Sequence, residues 1–492
     1  MVCFKIDSKD AGTEFEHYWE KCVGSCHAYT SLRADYREQL EKAHRELGFQ
    51  YVRFHGLLDD EMSVCLPEMK AMQPTGKLIY NFFNIDSIFD FLLSIGMKPF
   101  LELGFMPAAL ASGEHTCFHY KGNVTPPKDY RLWDELISRL ASHLVERYGL
   151  EEVATWFFEV WNEPNLPFFW AGTQEQYFEL YKHTAEAIKK VDQRLKVGGP
   201  ATSINAWIPD FIAFCKSSGA PVDFISTHHY PSDDPLWRDP SLTMEEFFQK
   251  SDTLKYKRGC LREMTEKAKA QAGELPLYYT EWNTSAMCGD SLHDEPYAAA
   301  MIAKTLADND GLVSGYSYWT FTDIFEESGQ IPGAFHGGFG LQNIYGTEKP
   351  SYRVFELFHG LGNRRLSVQK ESDKESSAEM IATKTQNGIR IIAYNHNVYG
   401  ESIQKEKVKV TVKNVGKVVR AAKYLIDENH ANPKKKWTEL GRPEYPGKKA
   451  LEEIEAASGL AEEKIDFLQQ GNDVEINFDL PEYGVAAIDI YR

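Results

Sequence analysis

From about residue 20 to 360, short apolar runs alternate with longer amphipathic stretches. The runs at 22–26, 51–55, 98–103, 155–162, 196–199, 222–228, 277–281 and 314–319 predict eight strands. Between them the apolar positions follow a helical period. Leu32, Tyr36, Leu40 and Leu47 share one face of the first such stretch; Tyr177, Leu180, Tyr181, Thr184, Ile188 and Val191 do so in a later one. Eight strands alternating with helices predict an α/β fold, a closed (β/α)₈ TIM barrel. An open doubly wound sheet is the weaker alternative, because no glycine-rich phosphate loop follows the first strand.

After about residue 362 the period changes to two. The segments 378–385, 389–397, 408–412, 418–427, 474–478 and 485–491 alternate apolar with polar residues, predicting an antiparallel β-sandwich with one wet face. The expected division is a barrel over 15–361 and a sandwich over 362–492, with residues 1–14 adding an edge strand to the sandwich. Residues 433–470 interrupt the pattern. The lysine run Pro433-Lys434-Lys435-Lys436 is expected to be a solvated loop, and 448–468 a helical insert.

A length of 492 residues fits two or three domains, and the 13% aromatic content fits an aromatic interior or cleft. The net charge of -18 argues against nucleic acid or an anionic membrane surface as a partner. The start, Met1-Val2-Cys3-Phe4-Lys5-Ile6-Asp7, has no signal-peptide pattern, and no apolar run approaches a membrane span. Eight scattered cysteines read as free thiols in a reducing compartment, so the expected location is cytoplasmic.

The candidate chemistry gathers at two strand tips. Trp156-Phe157-Phe158-Glu159-Val160-Trp161 is an apolar run that stops at Asn162-Glu163-Pro164, where proline ends the strand. In a parallel barrel that end carries the active site. Leu277-Tyr278-Tyr279-Thr280-Glu281 delivers a second carboxylate at the seventh strand. Alone, Asn162-Glu163-Pro164 would read as a capping carboxylate in a loop; the matched tip favours catalysis. Glu159 and Glu102, inside their strands, read as buried, paired carboxylates. His228 and His229 face opposite sides of a strand and no third ligand is evident, so neither a metal nor any other cofactor is expected.

Taken together these motifs resemble glycoside hydrolase family 39, the β-xylosidases and α-L-iduronidases of the retaining (β/α)₈ glycosidase clan. The likeness runs through Tyr51-Val52-Arg53-Phe54-His55-Gly56, Gly122-Asn123-Val124-Thr125-Pro126-Pro127, Val160-Trp161-Asn162-Glu163-Pro164-Asn165, Phe224-Ile225-Ser226-Thr227-His228-His229-Tyr230, Thr280-Glu281-Trp282-Asn283, Tyr318-Trp319-Thr320-Phe321 and Phe335-His336-Gly337-Gly338-Phe339-Gly340. It covers nearly the whole chain and resembles the bacterial β-xylosidase branch more than the iduronidases. His229 departs from the small residue the family usually shows there.

The resemblance implies Glu163 as general acid/base and Glu281 as nucleophile, with carboxyls about 5–5.5 Å apart. Asn162 would bind the sugar 2-hydroxyl, Tyr230 would hold the nucleophile ionised, and His228 would line the site. His55 and Trp319 are expected to form the sugar floor, Glu327 (or Glu326) to accept from sugar hydroxyls, and Phe118 to wall the pocket. The implied activity is release of xylose from short β-1,4-xylo-oligosaccharides with retention, by a homo-oligomer, a tetramer by family resemblance. The alternatives are the same mechanism on another glycoside, iduronidase-like or arabinosidase, and a non-catalytic carbohydrate-binding protein. Arg53 is the one basic residue in the strand-tip motifs, placed to support Glu163 or Asn162.

Overall fold

Eight parallel strands close into a barrel: Cys22–His27, Tyr51–His55, Lys98–Leu103, Phe157–Val160, Lys196–Thr202, Phe224–His228, Leu277–Trp282 and Gly315–Tyr318. The structure is a computed structural model and describes residues 1–239, 241–243, 246, 247, 250, 254–372 and 375–492. Each strand falls on one of the eight apolar runs. Helix Ala34–Leu47 buries Tyr36, Leu40 and Leu47 and stops at Gly48, whose φ of 77° suits glycine. Helix Gln174–Val191 opens with a capping box between Thr173 and Gln176 and buries Tyr177, Leu180, Tyr181, Thr184 and Ile188. Each large apolar side chain so buried contributes about 1.5–3 kcal/mol.

Side chains alternate along a strand, so every second residue enters the barrel. Cys22, Tyr51, Phe100, Phe157, Phe224 and Tyr278 form a separate buried cluster inside it, where Phe100 and Phe157 stack with centroids 4.9 Å apart. Two residues further along these strands come Arg53, Glu102, Glu159, Ser226 and Thr280, and two further still His55 and His228. The interior is thus an aromatic floor, then a charged layer, then the top where a barrel carries its site.

The C-terminal part holds two packed sheets. A seven-stranded sheet is built around Ala378–Thr385, Gly388–Asn395, Val485–Tyr491 and Arg420–Ile426. A five-stranded sheet carries Glu406–Lys413 and Asp473–Leu480. Val408, Val410, Ile476 and Ile488 lie in the core between them. The expectation of one wet face holds for Glu406–Lys413, which alternates buried and more exposed residues. It fails for the seven-stranded sheet: Ile381, Ile392, Tyr394, Val485 and Ala487 join the barrel's own hydrophobic cluster, so its second face is covered too.

Three expectations change. The N-terminal strand Val2–Asp7 does join this part of the fold, but not at an edge. It pairs antiparallel with Val368–Lys370 and parallel with Glu406–Lys413, because Val2, Phe4 and Ile6 all face the inter-sheet core. The lysine run is the start of a helix, Pro433–Glu439, capped by Asn432, whose side chain accepts from the Lys435 amide. The stretch from 448 is helical only over Lys448–Ala456, and the short strands Glu463–Lys464 and Phe467–Gln470 follow. A hairpin, Cys65–Lys70 with Gln73–Tyr80, was not anticipated. All eight cysteines are unpaired. Among the described residues, no helix is long and apolar enough to cross a membrane.

Candidate active site

The fourth strand ends at Val160, and the chain then takes left-handed backbone angles at Trp161 (φ 71°) and Glu163 (φ 42°). Such angles are uncommon for residues with a Cβ and persist only where the surroundings hold them. Here the Trp161 indole donates to the Phe169 carbonyl (2.7 Å), and the Glu163 amide donates to the Ala201 carbonyl of the next strand (2.8 Å). The turn brings Asn162 and Glu163, neighbours in sequence, into the same cleft.

Arg53 organises the layer beneath. Its Nε donates to Glu159 (2.7 Å), Nη1 to Glu281 Oε1 (2.5 Å) and Nη2 to Asn162 Oδ1 (3.0 Å), with Glu102 2.8 Å from Nη2. It therefore supports Asn162 and Glu281, and makes no hydrogen bond to Glu163 among the described contacts. Binding the Asn162 oxygen turns that amide's N–H₂ group toward the cleft. Glu281 Oε2 accepts from the Tyr230 hydroxyl (2.9 Å), so donors meet both oxygens, the arrangement that suits a charged nucleophile.

Glu163 sits in a different setting. Burial raises its pKa to about 7, against the opposing pull of the Ser203 hydroxyl and of Arg53. His228, fully buried between the two carboxylates, places Nδ1 3.0 Å from Glu163 Oε1 and 3.7 Å from Glu281 Oε2. One oxygen of each carboxylate and a ring nitrogen of His228 all lie within 4.8 Å of one another. Two acids close together, one pushed up by burial and one wrapped by donors, form the asymmetric pair that acid–nucleophile catalysis needs.

The cleft around them has a volume of about 690 Å³. His55, Asn162, Glu163, Tyr230, Glu281, Trp319 and Glu327 line it. The rings of His55 and Trp319 lie 4.7 Å apart, and the Glu102 carboxylate holds His55 Nδ1 at 2.7 Å. Burial pushes the His55 pKa down to about 3, so the ring is neutral. Gly24 leaves room for the Trp319 indole, since a Cβ there would stand 2.5 Å from Cε3. Asn283 donates to the Trp319 and Phe339 carbonyls, which fixes that end of the cleft.

The structure separates Glu326 from Glu327. Glu326 meets His27 and Arg33 at 3.3 Å each, and the His27 hydrogen bond draws its pKa down to about 2. Glu327 faces the cleft, where burial first, then the Glu281 and Glu163 charges, raise its pKa well above normal. Two expected site residues stand behind the lining. Phe118 packs on His55 (6.0 Å) and Phe169 (5.3 Å), because its loop lays the ring over neighbouring aromatics. His228 lies beneath, touching the carboxylates and Thr280. His229 turns the other way and stacks on Tyr279 at 3.8 Å, which is how a large ring is accommodated at that position.

Ser203, Thr280 and Asn283 join the site without having been singled out. For Thr280 the signal was present: it is two residues after the inward-facing Tyr278. Among the described residues one other group could gather a metal, His17, Glu20 and His359. There Glu20 Oε1 already engages both imidazoles, at 2.6 and 2.8 Å.

A barrel that sets a buried acid and a donor-wrapped carboxylate across a sugar-sized cleft defines a glycoside hydrolase. The family model of glycosyl hydrolases family 39 matches residues 2–472, and the chain belongs to that family. It is similar to a β-xylosidase of Caldicellulosiruptor saccharolyticus, 53% identical over 477 residues, covering 96% of this chain and 95% of that one. A β-xylosidase of Geobacillus stearothermophilus is 39% identical over 460 residues, 90% of this chain and 87% of that one. The solved family 39 β-xylosidase of Caulobacter crescentus is 33% identical and superposes with a TM-score of 0.83 over 100% of both chains.

Proposed function

We propose that this glycoside hydrolase is an exo-acting β-xylosidase that works by double displacement with net retention. The approach of the Glu163 and Glu281 oxygens to within 4.8 Å of one another carries this reading, because an inverting enzyme leaves room for a water between its carboxyls. Glu163 gives its proton to the leaving oxygen while Glu281 attacks the anomeric carbon, so the glycosidic C–O bond breaks as the Glu281 ester forms. Water then attacks that carbon; its proton goes to Glu163 and the Glu281 carboxylate departs. Asn162, held by Arg53, offers its amide to the sugar 2-hydroxyl, and Trp319 with His55 takes the flat face of the ring.

A neutral sugar fits better than a uronate: among the described residues lining the cleft there is no lysine or arginine to meet a second carboxylate. The relatives named as β-xylosidases support the same sugar. An intracellular setting fits the eight unpaired cysteines. The tetramer suggested by family resemblance, and the partition into 1–14, 15–361 and 362–492, belong to this proposal; light scattering and limited proteolysis test them.

The decisive experiment is hydrolysis of aryl β-xyloside, α-arabinoside, β-glucoside and α-iduronide, with the anomer of the released sugar followed by proton NMR. The reading requires fast β-xyloside cleavage that yields β-xylose first, abolished by Glu281→Ala. In Glu163→Ala, turnover of an activated aryl xyloside should recover with azide. Release of the inverted anomer would refute the pairing of Glu163 with Glu281.

A further inference from the structure

A chain of hydrogen bonds behind Glu163 determines which way its contact with His228 runs. Glu159 accepts at Oε2 from Arg53 Nε (2.7 Å) and at Oε1 from the Thr280 hydroxyl (2.7 Å). Thr280 has one proton, and with that proton on Glu159 its oxygen can only accept. The ring nitrogen it meets is His228 Nε2, at 3.1 Å. His228 is fully buried, and burial holds it in the neutral form, which carries a single N–H. If that N–H is on Nε2, Nδ1 is bare, and Nδ1 is the atom 3.0 Å from Glu163 Oε1.

We propose that Thr280 is a positioning residue acting through His228: it fixes the Nε2–H tautomer and so presents Glu163 with an acceptor instead of a donor. The proposal rests on the acid/base role of Glu163. Its consequence is directional. The Glu163–His228 hydrogen bond exists only while Glu163 carries its proton, so the free enzyme keeps its acid charged with the proton it must deliver. Once that proton has gone to the leaving oxygen, the carboxylate faces a lone pair. It then gains a hydrogen bond by taking the proton back from water, as the second step requires. The Ser203 hydroxyl pulls the other way, favouring the anion.

Other charged and titratable groups bear on the pair. Arg53 comes from the second strand, Glu102 from the third, Glu159 from the fourth and Glu281 from the seventh. Glu327 and Asp233 face Glu163 from the loops. All of them are retained when Thr280 alone is changed; the variant also loses the hydroxyl's hydrogen bond to Glu159 Oε1, and a less compensated Glu159 would raise the Glu163 limb, opposite to the tautomer effect. Thr280→Val keeps the shape and removes both the acceptor at Nε2 and the donor to Glu159 Oε1. The imidazole then gains by moving its proton to Nδ1, where it donates to the Glu163 anion. The basic limb of the kcat/KM profile should move about one pH unit lower, and Thr280→Ser should restore it.

The test is the pH profile of wild type, Thr280→Val, Thr280→Ser and Glu163→Gln, together with ¹⁵N NMR of histidine-labelled wild-type enzyme. The His228 signal is assigned by its loss in His228→Gln. An Nε2–H pattern in the wild type with a lowered limb in Thr280→Val, restored by serine, supports the proposal. An Nδ1–H pattern overturns it even if Thr280→Val does not fold. A limb that disappears in Glu163→Gln but stays in place in Thr280→Val overturns the role of Thr280 alone. A limb that survives Glu163→Gln overturns the acid/base reading as well.

Discussion

Replacing Arg53 by lysine keeps the charge and removes the fork. The guanidinium meets Glu159, Glu281, Asn162 and Glu102 with three separate nitrogens, all within 3.0 Å, and it is fully buried. An ammonium on a shorter reach satisfies one or two of these partners. At least two charge-assisted hydrogen bonds are lost, each about 1.5–3 kcal/mol, for a total of about 3–6 kcal/mol. The share lost at Glu102 and Glu159 appears as stability. The share lost at Glu281 and Asn162 appears in the transition state, where about 3 kcal/mol is roughly a hundredfold in kcat/KM. Arg53→Met goes further and leaves Glu159 and Glu281 without a cation, at about 3–5 kcal/mol of stability. The assays are the urea midpoint and kcat/KM on an aryl xyloside. A lysine variant with the wild-type midpoint and kcat/KM within about threefold (about 0.6 kcal/mol) would show that the four contacts are not energetically joined.

Other outcomes follow from single groups. Burial raises Glu102 and Asp233 to about 8 and Glu163 to about 7, so between about pH 5 and 8 the native state holds protons that unfolded carboxyls have released, and loses them toward the top of that range. His27 and His359, raised above their usual value, act in the same direction, and the melting temperature falls as pH rises from about 6.5 to 8. Glu102→Gln removes one of these protons, so calorimetry should show its melting temperature gaining on wild type over the same interval. Gly24→Ala drives a methyl into the Trp319 ring, an overpacking of about 1–3 kcal/mol, and should raise KM while circular dichroism stays unchanged. Glu327→Gln should raise KM several-fold and Glu326→Gln should not, since Glu326 is spent on His27 and Arg33; equal effects would mean that both reach the sugar.

Much of the barrel could be read from the chain because a strand writes its orientation every second residue. Tyr51, Arg53 and His55 follow one another up the inside of the barrel, and the same rule places Phe157 below Glu159. The loops carry no such period, so nothing in the sequence showed that Phe118 lies behind His55 or that Glu326 and Glu327 part company. At the lysine run charge drew attention from a local signal: Asn432-Pro433 is an N-cap followed by a proline in the first turn, the usual opening of a helix. The alternation in residues 2–7 marked a strand correctly, but period alone does not count neighbours.

That strand has a bearing on how the protein comes off the ribosome. Val2 is paired with Val408, a separation of 406 residues (408 − 2), so this segment waits for one made far later before it has that partner. The barrel completes its eighth strand at Tyr318 while this segment is still unpaired. Contacts of such long range are slow to form, and until they do Glu406–Lys413 and Val368–Lys370 present open edges to any other strand at hand. The strand Val2–Asp7 is thereby a closing piece: its arrival covers the open edge of Glu406–Lys413 and leaves the short Val368–Lys370 as the outer strand.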